Sequence, residues 1–249
     1  MQSIFCRHFD ETSWRDCGKT HYVWLASTSI STCLHIDPNR SKEAFLKFSG
    51  TLGNAPVVTD RYSAYTHIKR PHQYCLAHLI RDFQKYAERD GPDSEIGHAI
   101  ALELRRICKN HREFREGQLS KQSRNARFRY QKMRLQNQLL DGYANGSDEL
   151  SGLCERLLDC FSKLWTFSKF TDVDPTNNLA ERDLRRVVLW RKKSYGTRSD
   201  RGKRFVERIS SVTQTLRKTS LNIFSYLQEA VSDFYNGKSP QLINPAYGF

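Results

Sequence analysis

Residues 21–37 read HYVWLASTSISTCLHID, two runs rich in β-branched, aromatic and apolar residues joined by a short polar link. That texture predicts strands over 21–27 and 31–37, with Ser27 to Ser31 between them. Upstream, Asp16-Cys17-Gly18-Lys19 reads as a turn and residues 4–10 as a further strand ending on Asp10, so the chain should open as an antiparallel meander. Downstream, Ser41 can cap a helix over 41–49 that gathers Ala44, Phe45 and Phe48 on one face. Ala55 to Thr59 then forms a short apolar strand that delivers Asp60 at its carboxyl end, the place where ligands collect in open α/β sheets.

After Asp60 the spacing predicts a turn of helix over 61–68, a strand over 72–77 and a helix over 79–89 with Leu79, Phe83 and Tyr86 facing inward. At Asp90-Gly91-Pro92 the texture changes to long, charged, strand-poor sequence, with helices expected over 94–116, 119–141 and 148–169. Asp174-Pro175 has the chemistry of a helix start, Asp as cap and Pro at the first helical position. The helix from there to about Trp190 carries Glu181 in its second turn and Ala180, Leu184, Val187 and Val188 on its apolar side. Helices over 203–218 and 221–235 follow, and the last residues, with Pro240 and Pro245, read as a tail. The expected architecture is α/β: a core from 1–89 and 174–235, a helical insertion over 90–173 and a tail over 236–249.

With 249 residues, 38% of them apolar, the chain can bury a substantial core. No apolar run approaches the roughly 20 residues needed to cross a bilayer. The opening MQSIFCRHFDETSW lacks the apolar region of a secretory signal, so a cytoplasmic protein with no membrane partner is expected. Seven cysteines, an odd number without a CxxC pair, argue against a disulfide framework and for reduced, mostly buried thiols. His72, Cys75 and His78 could place soft metal ligands near one another, although no fourth ligand for structural zinc is evident.

Charge gives the first functional clue, since 40 Lys and Arg against 27 Asp and Glu leave a net +13, which favours a polyanionic partner. Two blocks hold the excess. Residues 101–135 and 182–208 each contain 11 basic and 3 acidic side chains, and the rest of the chain sums to −3. A solvated helix face accounts for the first block as well as a binding surface does. In the second, Arg182, Arg185, Arg186, Arg191, Lys192, Lys193, Arg198, Arg201, Lys203 and Arg204 alternate with Trp190 and Tyr195, a mixture of cations and stacking surfaces suited to a nucleic-acid backbone.

Phosphodiester chemistry needs a nucleophilic oxygen, a stabilised leaving oxygen and relief of charge at phosphorus, all of which a pair of divalent cations supplies. Such hard cations are held by a few carboxylates, with water and substrate phosphate completing the shell. Any chain with 27 acids offers many candidate triples. The local sequence narrows them: DETSW at 10–14, TDRYSAY at 59–65, CLAHLIRDF at 75–83, PTNNLAERDLR at 175–185, WRKKSYGT at 190–197 and FVERI at 205–209. In these stretches, taken in order, the chain resembles the catalytic region of the insertion-sequence-66 family of transposases. That family belongs to the wider group carrying two aspartates and one glutamate on a ribonuclease H-like fold.

The resemblance implies a ribonuclease H-like mixed sheet flanked by helices, with the catalytic acids at Asp10, Asp60 and Glu181. It implies two Mg2+ ions, with Mn2+ able to substitute, cleavage of double-stranded DNA at transposon ends, and strand transfer of the 3′ hydroxyl to target DNA. A homo-oligomer on the DNA, accessory transposition proteins and a place at the bacterial nucleoid go with it. Glu11 and Asp183 compete with the implied acids, Asp183 pointing to a different side of the helix from Glu181. Asn177 and Asn178 could orient Glu181 or complete the helix start, and Arg185 could pair with Glu181 or share in phosphate binding. His78, from a CxxH stretch that recurs in related transposases, could approach the site or be a core histidine. Family members usually carry a DNA-binding region ahead of the first Asp, whereas Asp10 follows only nine residues; a truncated copy that depends on another protein is one expectation. An inactive remnant that only binds DNA, and a nuclease that cuts without joining, are the rival readings.

Overall fold

The computed structural model describes residues 6–51, 53–241 and 243; the beginning of the first expected strand and the end of the tail, Pro245 included, lie outside them. It divides into two compact units, one from 1–55, 62–67 and 178–249, the other from 56–61 and 68–177.

The first unit is built on an antiparallel meander of β1 (Arg7–Asp16), β2 (Lys19–Ser27) and β3 (Thr32–Asp37). Cys17 and Gly18 form its first turn, both at positive φ (49° and 77°), the two-residue geometry whose twist matches that of the flanking strands. Asp10 therefore does not end the first strand, as its sequence predicts; the strand runs on six residues to Asp16. The segment ETSWRD contains a single apolar residue, Trp14, so its period-2 signal is weak, and pairing with β2 rather than apolar alternation extends it.

Helix α1 (Lys42–Ser49) is capped as expected, the Ser41 side chain accepting from the Ala44 amide at 3.2 Å. It covers one face of the meander, where Phe9, Trp24, Phe45 and Tyr65 meet edge-on or tilted with centroids 4.9–6.2 Å apart. Helices α6 (Asn178–Ser194) and α7 (Asp200–Lys218) cover the opposite face. There Trp14, Val23, Leu25, Leu34 and Ile36 form one core with Ala180, Leu184, Val187 and Val206. Truncating any of the large members to Ala would cost roughly 2–5 kcal/mol. The last helix, α8 (Ile223–Tyr235), buries none of its residues.

In the second unit β4 (Val57–Thr59) pairs in parallel with β5 (His72–Tyr74), and α2 (Leu76–Ala87) follows directly. Five further helical segments lie between α2 and α6 among the described residues: α3 (Pro92–Arg115), α4 (Lys121–Asn145), α5 (Asp148–Asp159) and two 3₁₀ turns over 161–164 and 166–168. The helix expected over 148–169 thus stops at Asp159. Its apolar spacing continues through Phe161, Leu164 and Phe167 because a 3₁₀ turn repeats every three residues. Those turns bury Trp165 and Phe167 beside Phe128, with Phe128 to Phe167 centroids at 5.3 Å.

The start expected at Asp174-Pro175 is also corrected, since α6 begins at Asn178. Tertiary partners use the would-be cap: the Leu76 amide donates to the Pro175 carbonyl (2.9 Å), and the Asp174 carboxylate meets His111 Nε2 at 3.3 Å. With both strand senses among the five strands and eight α-helices of the described residues, the class is α/β. No helix among the described residues is long and apolar enough to cross a membrane.

Candidate functional site

Asp10 and Glu11 are neighbours on a strand and so face opposite sides of it. The register sets Asp10 opposite Leu25 and Leu25 opposite Leu34, and both leucines belong to the core beneath α6. Asp10 therefore lies on the face of the meander that α6 covers. It is half-buried, and its Oδ1 accepts from the Glu11 amide at 2.9 Å. Glu181 occupies the first turn of α6, one turn earlier than its sequence predicts, and is also half-buried. It adjoins Ala180, which is packed into that core.

The two competing acids are committed elsewhere. Glu11 is buried on the α1 side, where it takes an ion pair from Arg40 and a hydrogen bond from the Tyr65 hydroxyl. Asp183, buried on the other flank of α6, pairs with Lys218 Nζ at 2.7 Å and accepts from Ser27 and Thr32 hydroxyls at 2.8 Å each. Burial pushes the Lys218 ammonium below its usual value, and the bond to Asp183 pulls it back only in part.

In the second unit Asp60 is the residue directly after β4 and is half-buried. The Thr59 carbonyl takes the Cys75 amide at 2.8 Å, and Arg61 pairs with Asp82 of α2, so the strand end is held on both sides of Asp60. The start of α2 is tied to the segment before α6, because the buried Asn177 donates its amide to Cys75 Sγ at 3.0 Å. Asn177 thus lies buried just ahead of the helix, while Asn178 is its exposed first residue. His78 is half-buried on α2, within 4.8 Å of Cys75 Sγ. His72 stands apart: its Nε2 bonds Thr59 Oγ1 at 2.8 Å, and among the described residues it joins no group of three metal-ligating side chains.

Of the cations in the second basic block, Arg182, Arg185, Arg186, Lys192, Lys193, Arg198, Arg201 and Arg204 are exposed. Arg191 and Lys203 instead fasten the loop between α6 and α7 to β1. Arg191 donates to Thr12 and Ser13, and Lys203 lies 3.5 Å from the Asp16 carboxylate. Between them Thr197 exchanges backbone bonds with Arg15 and Cys17 at 2.8 Å each, and its hydroxyl takes the Trp14 indole N–H at 3.0 Å. Gly196 is required here: at φ 101°, a Cβ would fall 2.0 Å from the Arg15 carbonyl oxygen. Tyr195 precedes it, 82% exposed and at φ 58°. This fastening was not read from the sequence, where Tyr195-Gly196 is its only trace.

In the first basic block, four cations are paired within the block. Buried Glu103 holds Arg106 and Arg134, Glu113 holds Lys109 and Arg127, and Arg124 stacks over Phe114 at 4.1 Å. All seven cysteines are free thiols; Cys6, Cys75 and Cys154 are buried, Cys17 is exposed and the others are intermediate.

No curated protein matches the chain. The model described as Transposase IS66 family matches it over residues 5–204, a span that takes in β1, the strand end at Asp60, all of the second unit and α6 with its basic loop. Because that match covers most of its 249 residues, the chain belongs to the IS66 family of transposases.

Proposed function

We propose that Asp10, Asp60 and Glu181 together hold two divalent metal ions, Mg2+ with Mn2+ able to substitute, on a ribonuclease H-like core made of 1–89 and 174–235 with 90–173 inserted. The chain would cleave double-stranded DNA at transposon ends and transfer the freed 3′ hydroxyl to target DNA. The observation that carries this reading is the sorting of the acids in the first unit. Glu11 and Asp183 are buried acids already held in ion pairs, whereas Asp10 lies on the α6 face and Glu181 in the first turn of α6.

The donor set suits such ions, since carboxylate oxygens are what hard divalent cations take. When bound, the ions activate the attacking oxygen and relieve charge at phosphorus. In the first step a water oxygen bonds to phosphorus, and the 3′ oxygen leaves and takes up a proton. In the second that 3′ oxygen bonds to a target phosphorus and displaces the target's own 3′ oxygen. The chain's part is to orient the acids and hold the strands. The exposed Arg182, Arg185, Arg186, Lys192, Lys193, Arg198 and Arg204 would take phosphates, with Arg191 and Lys203 fixing the loop that presents them. Work on paired ends would call for a homo-oligomer at the nucleoid, with accessory proteins where end recognition needs them.

A cleavage and strand-transfer assay on element-end DNA tests the proposal. Mg2+-dependent products should vanish in Asp60→Asn and Glu181→Gln while DNA binding persists; unchanged activity in both variants rejects the assignment. DNA binding without metal-dependent cleavage on any substrate would leave the chain a DNA-binding remnant.

A further inference from the structure

A concave site of about 420 Å³ in the second unit lies between the segment before β5 and the 3₁₀ turns. Four cations line it, Lys69, Arg70, Lys163 and Lys169, together with the hydroxyl residues Ser162 and Thr166, and among the described residues no carboxylate does. None of the four belongs to either basic block of the sequence, because they come from two stretches about ninety positions apart that only the fold assembles.

The walls are firmly set. The Gln73 amide donates to the Leu164 carbonyl at 3.2 Å and its oxygen accepts from the Phe167 amide at 2.9 Å, while the Thr166 hydroxyl donates to the His72 carbonyl at 2.8 Å. All of these bonds are buried, so β5 and the 3₁₀ turns move as one piece. Lys163 is positioned by the Tyr74 hydroxyl at 3.2 Å and the Tyr74 ring at 5.0 Å. Lys69 and Lys169 are exposed and, among the described residues, neither forms an ion pair.

Like charges gathered around one cavity repel unless an anion sits among them. We infer that the Lys69–Arg70–Lys163–Lys169 cavity is a second phosphate-binding site that grips the backbone of a DNA strand away from the reacting phosphodiester. The inference rests on the DNA-processing reading of the chain, but not on the identity of the catalytic acids.

The test uses the full chain carrying Lys69→Gln and Lys169→Gln, singly and together, with Lys47→Gln, an exposed lysine of α1, as a control, and measures affinity for a labelled duplex by anisotropy across a salt series. Each lysine that neutralises a phosphate should lower the steepness of log affinity against log salt by about 1. The double variant should therefore bind more weakly and lose about 2 from the slope, while Lys47→Gln keeps the wild-type slope. A double variant with wild-type affinity and slope overturns the inference whatever the cleavage assay gives, as does a wild-type chain that binds no duplex. Tripolyphosphate provides the other arm: protection of Lys69 and Lys169 from amine labelling by tripolyphosphate, with an unchanged slope on DNA, would mark a free-polyphosphate site and overturn the DNA assignment.

Discussion

Lys218 Nζ lies 2.7 Å from Asp183 Oδ2, joining the end of α7 to the flank of α6 opposite Glu181. Its other contacts are the Ser27 hydroxyl and the Thr28 and Ser31 carbonyls at 2.7–3.1 Å. Every partner is a fixed group of the meander's far end, so the pair holds the helices against the sheet. Two acids two positions apart thus do different work, Asp183 in the fold and, on our reading, Glu181 in the chemistry.

Asp183→Asn should accordingly destabilise the chain by about 3 kcal/mol, the scale for removing one partner of a buried pair. Glu181→Gln should leave the unfolding midpoint close to wild type while cleavage is lost. Chemical denaturation of both variants checks this; equal stability losses would show that Glu181 is as structural as its neighbour.

Acid should weaken the seam between α7 and β3. Burial alone would raise the Glu207 carboxyl, but the His35 ring at 3.0 Å and the Ile36 amide at 2.6 Å outweigh it and hold the group below its ordinary value of 4.5. A carboxyl lowered in the fold contributes stability that is fully present above the unfolded-state value and is lost as pH falls through the folded one. The stability gap between wild type and Glu207→Gln should be constant near neutrality, begin to close below about pH 4.5 and level off at lower pH. Thermal melts across that range measure it, and a gap that widened toward acid would oppose this account.

Gly196→Ala should unfasten the basic loop, because the added methyl meets the Arg15 carbonyl and the backbone is left-handed there. A cost of at least about 2 kcal/mol is expected from strain and clash. Trypsin should then cut sooner after Arg198, in the loop, and Arg201, in the first turn of α7. An unchanged digestion pattern would mean that Thr197 alone keeps the loop in place.

Thiol accessibility separates the cysteines. Burial pushes the Cys108 and Cys154 thiols up to about 12, whereas Cys17 is exposed at the hairpin tip. At pH 8 a thiol-specific reagent should modify Cys17 first and reach Cys108 and Cys154 only on unfolding, with peptide mapping as the readout.

Much of this was legible in the residues. The meander, the Ser41 cap and the apolar strand before Asp60 all announce themselves through local chemistry. What misled was tertiary structure overriding local signals: Asp174-Pro175 has the residues of a helix start, but its carbonyl and carboxylate serve Leu76 and His111. Phe161, Leu164 and Phe167 continue a helical-looking stripe that a 3₁₀ turn satisfies equally well. Among acids, sequence alone could not separate Asp10 from Glu11 or Glu181 from Asp183, since the choice depends on strand parity and on partners such as Arg40 and Lys218, remote along the chain.

The central claim, that Asp10, Asp60 and Glu181 share bound ions, is tested most directly by replacing Mg2+ with Fe2+ and adding ascorbate and peroxide, so that radicals cut the polypeptide beside the ion. Mapping the fragments should place cuts near residues 10, 60 and 181 together, competed away by excess Mg2+ and abolished by Asp60→Asn. Cuts near only one of the three positions, or a pattern that survives Asp60→Asn, would contradict the shared site.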